Sequence, residues 1–198
     1  MENTVVVAFD MDDTLVKTTC EVERLYKLYC ENNKVGERSK EEIINKEVIE
    51  KRVYMDSAEP TELFYDLKKY LGDLREKYKD SLKVVICSHR GDNTSAWLSS
   101  FNWLLKHELM DDIDMIHSIN SVNNKDKLKY LEGVYPYSEI ILVDDNPFGS
   151  KNEIREYDSR LVVYGEELKN KCVMNQEGYV NIFILMSKIM NKIDNLMD

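Results

Sequence analysis

The stretch VVVAFDMDDT at residues 5–14 decides the fold. Five successive apolar residues without alternation predict a strand that is covered on both faces, as in a parallel sheet. Carboxylates follow at once, at Asp10, Asp12 and Asp13. The stretch therefore predicts a buried strand with acidic groups at its carboxyl end.

The same order of apolar run and polar end recurs along the chain. Residues 83–87 lead to Ser88, residues 140–143 lead to Asp144-Asp145, and weaker copies lie at residues 113–119 and 161–164. Helical patterns separate these runs. Their apolar stripes are Leu63, Leu67, Leu71, Leu74 and Tyr78; Trp97, Leu98, Phe101, Leu104 and Leu105; and Phe183, Met186, Met190, Ile193 and Met197. Two shorter helices are predicted, one from Lys125 to Gly133 and one opened by a capping box at residues 150–153.

Strands that alternate with helices indicate an α/β protein with a doubly wound parallel sheet. Such sheets bind ligands beyond the carboxyl ends of their strands. The polar residues of this chain are predicted to lie there.

Residues 17–57 interrupt the alternation of strands and helices. Thr18-x-x-Glu21 and Ser39-x-x-Glu42 are capping-box patterns, which predict two helices directly after the first strand. We expect a small helical cap at 17–57 and an α/β core formed by residues 1–16 and 58–198. The alternative is a crossover helix with a long arm.

The overall charge restricts the partners. The formal net charge is −10, which disfavours nucleic acid and anionic membranes as partners. No apolar run is long enough to cross a bilayer, and the start of the chain lacks the basic residues of a signal peptide. We expect a cytoplasmic protein.

Asp10 and Asp12 follow one buried strand, and Asp144 and Asp145 follow another. Carboxylates at the end of a buried strand are costly unless a partner neutralises them. Mg²⁺ prefers oxygen ligands of this kind. If the two strands are neighbours, three or four carboxylates converge on one metal ion.

Ser88 and Lys125 supply what a phosphoryl group requires. A hydroxyl can bond its oxygens and an ammonium offsets its charge. Lys125 is favoured because it stands at a predicted helix start, with Lys127 as the alternative and Lys129 placed on a solvated face.

These motifs, in this order, resemble the haloacid dehalogenase (HAD) superfamily of phosphohydrolases. The resemblance covers residues 5 to about 164 and implies a Rossmann-like core. By that resemblance, Asp10 is the nucleophile, Asp12 the general acid and base, and Lys125 the phosphate-binding lysine. The Asp10 carboxylate, the Asp12 main-chain carbonyl and Asp144 would hold Mg²⁺, with Asp145 as a ligand or a support. We expect the cap to shield Asp12 from solvent and so to raise its pKa.

His89 and Arg90 complete the predicted substrate-binding set with Ser88. The Ser88-His89-Arg90 run is similar to a Ser-x-Arg run in the phosphatase half of phage polynucleotide kinase. Arg90 could reach a substrate phosphate or base, or form a structural ion pair.

Three functions follow from this interpretation. The first is a Mg²⁺-dependent phosphatase acting on small phosphomonoesters, with a nucleotide as the first guess. The second is a 3′-phosphatase acting on nucleic-acid ends, which the net charge disfavours. The third is a non-catalytic phosphate-binding relative, against which the presence of both Asp10 and Asp12 argues.

Overall fold

A computed structural model of the protein describes residues 4–146, 158, 160–163 and 182–197. Its strands are β1 (Thr4–Phe9), β2 (Leu82–Ser88), β3 (Met115–Ser118), β4 (Ser138–Asp144) and β5 (Leu161–Val163). Its α-helices are α1 (Thr18–Asn32), α2 (Lys40–Ile43), α3 (Val53–Ser57), α4 (Glu62–Tyr78), α5 (Thr94–Lys106), α6 (Lys127–Val134) and α7 (Ile182–Met197). A π-helical segment, Ile44–Ile49, continues α2, and single 3₁₀ turns occupy Lys79–Ser81 and Met110–Asp112.

The five strands form one parallel sheet in the order β3-β2-β1-β4-β5. The chain first winds outward from β1 to β3 and then returns to the other side of β1, where β4 lies. The order of connection therefore reverses between β1 and β4. This is the topological switch point at which doubly wound sheets bind ligands, and the doubly wound prediction is confirmed.

The central strand is buried on both faces, as its unbroken apolar run predicts. Val5, Val7 and Phe9 face one apolar cluster, which also contains residues of α4, α5 and α7. Val6 and Ala8 face the other cluster, which includes residues of α6. A fully buried side chain of this kind contributes about 1.5–3 kcal/mol, so both layers fix the position of β1.

Two of the three predicted helical stripes agree with the structure. All five residues of the α4 stripe are buried. In α7, Met186 and Ile193 are buried and Met190 is partly buried. The side chains of Phe183 and Met197, the predicted helix at 150–153 and Tyr164 lie outside the described residues.

The prediction of a helix at α5 is confirmed, but the prediction of which side chains it buries is largely wrong. Trp97, Leu98 and Leu105 are exposed. The helix instead buries Ala96 and Ser100 together with Trp103 and Leu104. Small residues allow a helix to lie close to its neighbours, and a rule that selects the largest apolar side chains overlooks them.

Residues 17–57, which we call the helical insert, contain α1, α2, the π-helical segment and α3. The two segments that connect the helical insert to the core lie next to each other. Val16 forms a β-bridge with Pro60, and the main-chain N–H of Thr61 donates to the carbonyl of Leu15 at 2.9 Å. The Trp103 indole of α5 donates to the carbonyl of Ala58, also at 2.9 Å, which fixes the point of return.

The two capping predictions for the helical insert have different outcomes. Ser39 caps α2, because its hydroxyl accepts the N–H of Glu42 at 3.1 Å. The Thr18 prediction is wrong, since Lys17 is the N-cap of α1 and makes no side-chain cap. The Thr18 hydroxyl instead donates to Asp12 at 2.6 Å, because a carboxylate is the stronger acceptor. No described helix has the length and apolar character that crossing a bilayer requires.

Candidate active site

The first group of acidic residues lies at the carboxyl ends of β1 and β4. The strands are neighbours in register, with Phe9 opposite Val143. The main-chain N–H of Asp10 donates to the carbonyl of Val143 at 2.9 Å. This contact holds the turn after β1 against the end of β4, at the switch point of the sheet.

Three carboxylates converge at this point. Asp10, Asp144 and Asp145 each offer an oxygen atom, and these atoms all lie within 4.8 Å of one another. Asp10 and Asp144 are buried, at 5% and 1% exposure. The sequence-based expectation that the two strands bring their acidic ends together is therefore met in the geometry.

Lys127, at the first position of α6, is the cation of this cluster. Its Nζ lies 2.8 Å from Oδ1 of Asp10 and 2.7 Å from Oδ2 of Asp144, and only 4% of its side chain is exposed. We call Asp10, Asp144, Asp145 and Lys127 the carboxylate–lysine centre. Asp10 and Asp144 share this one ammonium, so Lys127 does not offset all of their negative charge, and a divalent cation would offset more of it.

The preference for Lys125 over Lys127 is wrong. Lys125 is exposed and precedes α6, because Asp126 is the N-cap and its carboxylate accepts the N–H of Lys129 at 3.2 Å. The capping preference of aspartate was a signal available in the sequence, since it places the first helical residue at Lys127.

Burial and charge act on this centre together. Burial raises the pKa of Asp10 to about 6, since it outweighs the attraction of Lys127 and is reinforced by the charges of Asp144 and Asp12. Burial alone would lower the pKa of Lys127, but the two carboxylates outweigh it and raise that pKa. The Lys127 ammonium therefore stays charged, while the nearby carboxylates of Asp144 and Asp12 disfavour the ionised form of Asp10.

The donor set fits a hard divalent cation. Lys127 contacts one oxygen of Asp10 and one of Asp144. The other oxygen of Asp144 accepts the N–H of Asn146 at 2.7 Å, which orients that carboxylate. Clustered carboxylate oxygens of this kind are the ligands that Mg²⁺ prefers.

Asp12 belongs to a second, separate ion pair. Its Oδ2 accepts from Nε of Arg90 at 2.9 Å, and its Oδ1 accepts from Nη2 of Arg90 and from the hydroxyl of Thr18. The Arg90 side chain is 1% exposed, whereas that of Asp12 is 33% exposed. We call this bidentate contact the Asp12–Arg90 pair.

The expected rise in the pKa of Asp12 is wrong. Burial acts to raise this pKa, but the charge and hydrogen bonds of Arg90, with the hydroxyl of Thr18, outweigh it and lower the pKa. Burial raises the pKa of a carboxylate only when it outweighs the attraction of the nearby cations, as it does at Asp10 but not at Asp12.

Of the two roles expected for Arg90, the structure shows the ion pair, because its guanidinium is buried against Asp12. Its Nη1 donates to the Ser100 hydroxyl at 3.3 Å, and its guanidinium lies 5.9 Å from the centre of the Tyr54 ring. Arg52 donates to the main-chain carbonyl of Arg90 at 2.9 Å. Tyr54 and Arg52 come from the helical insert, so the insert contacts the Asp12–Arg90 pair directly.

Ser88 and His89 end β2 in different environments. The Ser88 hydroxyl is buried and has no hydrogen-bond partner among the residues that the structure describes. A buried hydroxyl without a partner can donate a hydrogen bond to an oxygen atom of a bound ligand. His89 is half-buried and bonds the carbonyl of Asn124 at 2.7 Å, so its ring supports the loop before α6.

Thr14 braces the turn that carries the acidic residues. Its hydroxyl accepts the N–H of Asp145 at 2.9 Å and its carbonyl accepts the hydroxyl of Thr61 at 2.7 Å. Thr14 therefore joins the ends of β1 and β4 to the start of α4.

The overall structure is similar to solved structures of one group of enzymes. A haloacid dehalogenase-like hydrolase from Streptococcus pneumoniae superposes with a TM-score of 0.61 and 14% identity, over 96% of this chain and 100% of that chain. A predicted phosphatase from Clostridium acetobutylicum gives a TM-score of 0.59 and 14% identity, over 96% and 99%. The HAD-hydrolase YfnB of Bacillus subtilis, in a form bound to magnesium, gives 0.50 and 10%, over 96% and 99%.

Neither a protein-family model nor a curated protein matches the sequence. At identities this low, the similarity shows the fold and not the chemistry. The chain has the haloacid dehalogenase-like fold, as its sequence motifs predict.

Proposed function

We propose that this protein is a Mg²⁺-dependent phosphohydrolase that forms a covalent aspartyl-phosphate on Asp10. The observation that carries the proposal is the carboxylate–lysine centre, in which Asp10, Asp144 and Lys127 meet at the switch point of the sheet. The fold shared with hydrolases supports the same conclusion.

The covalent step uses the Asp10 carboxylate. One of its oxygens attacks phosphorus, the bond from phosphorus to the leaving oxygen breaks, and that oxygen takes a proton from Asp12. Water then attacks phosphorus and gives a proton to Asp12, the bond between phosphorus and Asp10 breaks, and inorganic phosphate leaves. Lys127 and the hydroxyl of Ser88 would bind the oxygens of the phosphoryl group.

Mg²⁺ would be held by carboxylate oxygens of Asp10 and Asp144 and by the main-chain carbonyl of Asp12, with Asp145 as a ligand or a support. It would neutralise charge on the phosphoryl group. The negative charge that Lys127 leaves on Asp10 and Asp144 supports this assignment.

The Asp12–Arg90 pair constrains the acid and base role of Asp12. Arg90 engages both oxygens of the carboxylate. The pair also lowers the pKa of Asp12, so one of these oxygens must leave Arg90 before Asp12 can take up a proton and deliver it to a leaving-group oxygen. We infer that substrate binding or a movement of the helical insert releases it.

We propose phosphomonoesters as the substrate class, with nucleotides as the first compounds to test. A 3′-phosphate on a nucleic-acid end is the second candidate. The similarity of the Ser88-His89-Arg90 run supports it, but the buried position of Arg90 against Asp12 does not favour Arg90 as a substrate contact.

Turnover of p-nitrophenyl phosphate, with and without Mg²⁺, tests the proposal. We expect hydrolysis that requires the metal, and trapping of a phosphorylated protein in which Asp10 carries the label. A protein that binds phosphate analogues but shows no turnover would be a non-catalytic relative, and the proposed function would be wrong.

A further inference from the structure

A groove lies between α3 of the helical insert and the exposed side of α5. Its volume is about 360 Å³, which is at the lower end of the range of about 300–1,000 Å³ for small-molecule sites. We call it the insert groove. Its charged and polar lining includes Lys51, Arg52, Asp56, Ser95, Asn102 and Lys106.

The charge of the insert groove is opposite to that of the chain. The whole chain has 37 acidic and 27 basic residues. The groove has three cations and one carboxylate among its lining residues, which gives a formal charge of +2. An acidic protein that gathers positive charge in one groove provides a local site for an anion.

Two of these cations are not neutralised within the described part of the chain. Arg52 donates to the main-chain carbonyl of Arg90, at 2.9 Å, and Lys106 donates to that of Asp56, at 2.8 Å. Neither forms an ion pair with a carboxylate of a described residue. Lys51 differs, because it pairs with Glu47. Arg52 and Lys106 therefore retain charge that an anionic ligand can use.

The main chain at Arg52 is also unusual. Its φ of 54° and ψ of 21° are left-handed, a conformation that residues with a side chain seldom adopt. Glycine or asparagine would fit this position with less strain. Main-chain strain of this kind is concentrated at functional sites, which agrees with a ligand-binding role for the Arg52 side chain.

Arg52 also connects the insert groove to the candidate active site. It contacts Arg90, and Arg90 holds Asp12, so one residue separates Arg52 from the predicted general acid and base. The Arg52 side chain thus lines the groove at one end of this chain of contacts, and Asp12 lies at the other.

We propose that the insert groove binds a second phosphate of the substrate, distinct from the phosphoryl group that is transferred. The inference rests on the proposed function and specifies its substrate class. A second phosphate is present in a small bisphosphate, and equally in a polynucleotide end, where the neighbouring phosphodiester supplies it. Arg52 and Lys106 are the residues that select for it.

Equilibrium binding to the Asp10→Asn protein with Mg²⁺ present tests this proposal without requiring turnover. The probes are a nucleoside 3′-monophosphate and the matching 3′,5′-bisphosphate, which differ only in the second phosphate. We expect the bisphosphate to bind at least about tenfold more tightly, as one charge-assisted contact allows.

Lys106→Gln in the same protein is expected to remove most of this tenfold preference. Arg52→Gln serves as a second variant, should the first disturb the contact with Asp56. Lys34→Gln is the matched control, because Lys34 is exposed in the loop between α1 and α2 and the same charge is lost away from the groove. We expect the control to keep the preference.

A 3′-phosphorylated oligonucleotide distinguishes the two sources. Tighter binding than the bisphosphate, with a loss in Lys106→Gln, assigns the groove to a polymer, and equal binding assigns it to a small bisphosphate. Equal affinity for the monophosphate and the bisphosphate, or a preference that both groove variants retain, would overturn the proposal. If the wild type hydrolyses no phosphoester but the Lys106-dependent preference persists, the proposed function is wrong and the anion site stands.

Discussion

The carboxylate–lysine centre and the Asp12–Arg90 pair each place a buried cation against carboxylates, and Asp10 and Asp12 are only two residues apart. The first group keeps an excess of negative charge, whereas the second is neutral. Lys127 is shared between Asp10 and Asp144, with Asp145 close by. Arg90 binds both oxygens of one carboxylate and satisfies them. The pKa of Asp10 is accordingly raised, whereas that of Asp12 is lowered.

The comparison shows that a carboxylate and a buried cation do not by themselves define a metal site. What matters is whether negative charge is left over. The shared ammonium leaves an excess that a divalent ion can neutralise, whereas the planar guanidinium matches one carboxylate and leaves none. The following predictions test this difference in order of expected effect.

The largest effect is expected for Asp10→Asn. The variant should lose at least about a thousandfold in kcat/KM on p-nitrophenyl phosphate, because an amide is a poor nucleophile and a weak metal ligand. Asp13→Asn is the matched control, since the Asp13 carboxylate bonds the main-chain N–H of Thr19 at 2.8 Å and lies outside the cluster. Comparable losses in both variants would contradict the assignment of Asp10.

Lys127→Met should destabilise the metal-free fold by about 3–5 kcal/mol, because it leaves two buried carboxylates facing each other. Denaturant unfolding measures this change. Mg²⁺ should restore part of the lost stability by neutralising the same charges. Lys125→Met is the control and should unfold as the wild type does, since Lys125 is exposed. A larger effect at Lys125 would show that the structure assigns the wrong lysine.

Arg90→Met should destabilise the fold by a smaller amount, about 1–3 kcal/mol, since a third of the Asp12 side chain remains in contact with solvent. Mg²⁺ should not restore this loss beyond the stabilisation that it gives the wild type. The measurement is denaturant unfolding with and without the metal. Selective rescue of Arg90→Met by Mg²⁺ would remove the distinction between the two centres.

The smallest effect concerns pH. The pKa of Asp10 is raised to about 6, so Asp10 gains a proton as the pH falls through that value. A protonated carboxyl is a poor ligand, so Mg²⁺ should bind about tenfold more weakly at pH 5 than at pH 7. Calorimetric titration measures this change. Because the pKa of Asp12 is lowered, Asp12→Asn should leave the pH dependence in place, and its disappearance would assign the titration to Asp12.

Much of the site could be predicted because its residues follow directly from the ends of strands. In a parallel sheet all carboxyl ends lie at one edge, so Asp10, Ser88 and Asp144 were expected at that edge, and the strand order of the structure makes β2 and β4 the neighbours of β1. The apolar runs are long enough to identify those strands without reference to the rest of the chain.

The contacts of Arg90 join segments that are distant in the sequence. Arg90 meets Asp12 across 78 positions, and Arg52 reaches the carbonyl of Arg90 across 38. Thr18 matched a capping pattern but bonds Asp12 instead. The partners of Arg90 are brought near only by folding, whereas Thr18 bonds a carboxylate six residues away that is a stronger acceptor than the main chain.

The sequence by itself determined the alternating strands and helices, the parallel sheet and the identity of the acidic residues at its edge, because these depend on local apolar periodicity and on the shared direction of parallel strands. The tertiary structure alone decided which cation meets which carboxylate, that Lys127 and not Lys125 enters the site, and that Arg90 closes on Asp12. The physical reason is that ion pairing depends on distance and burial. Both are set by the packing of α5, α6 and the helical insert around the sheet.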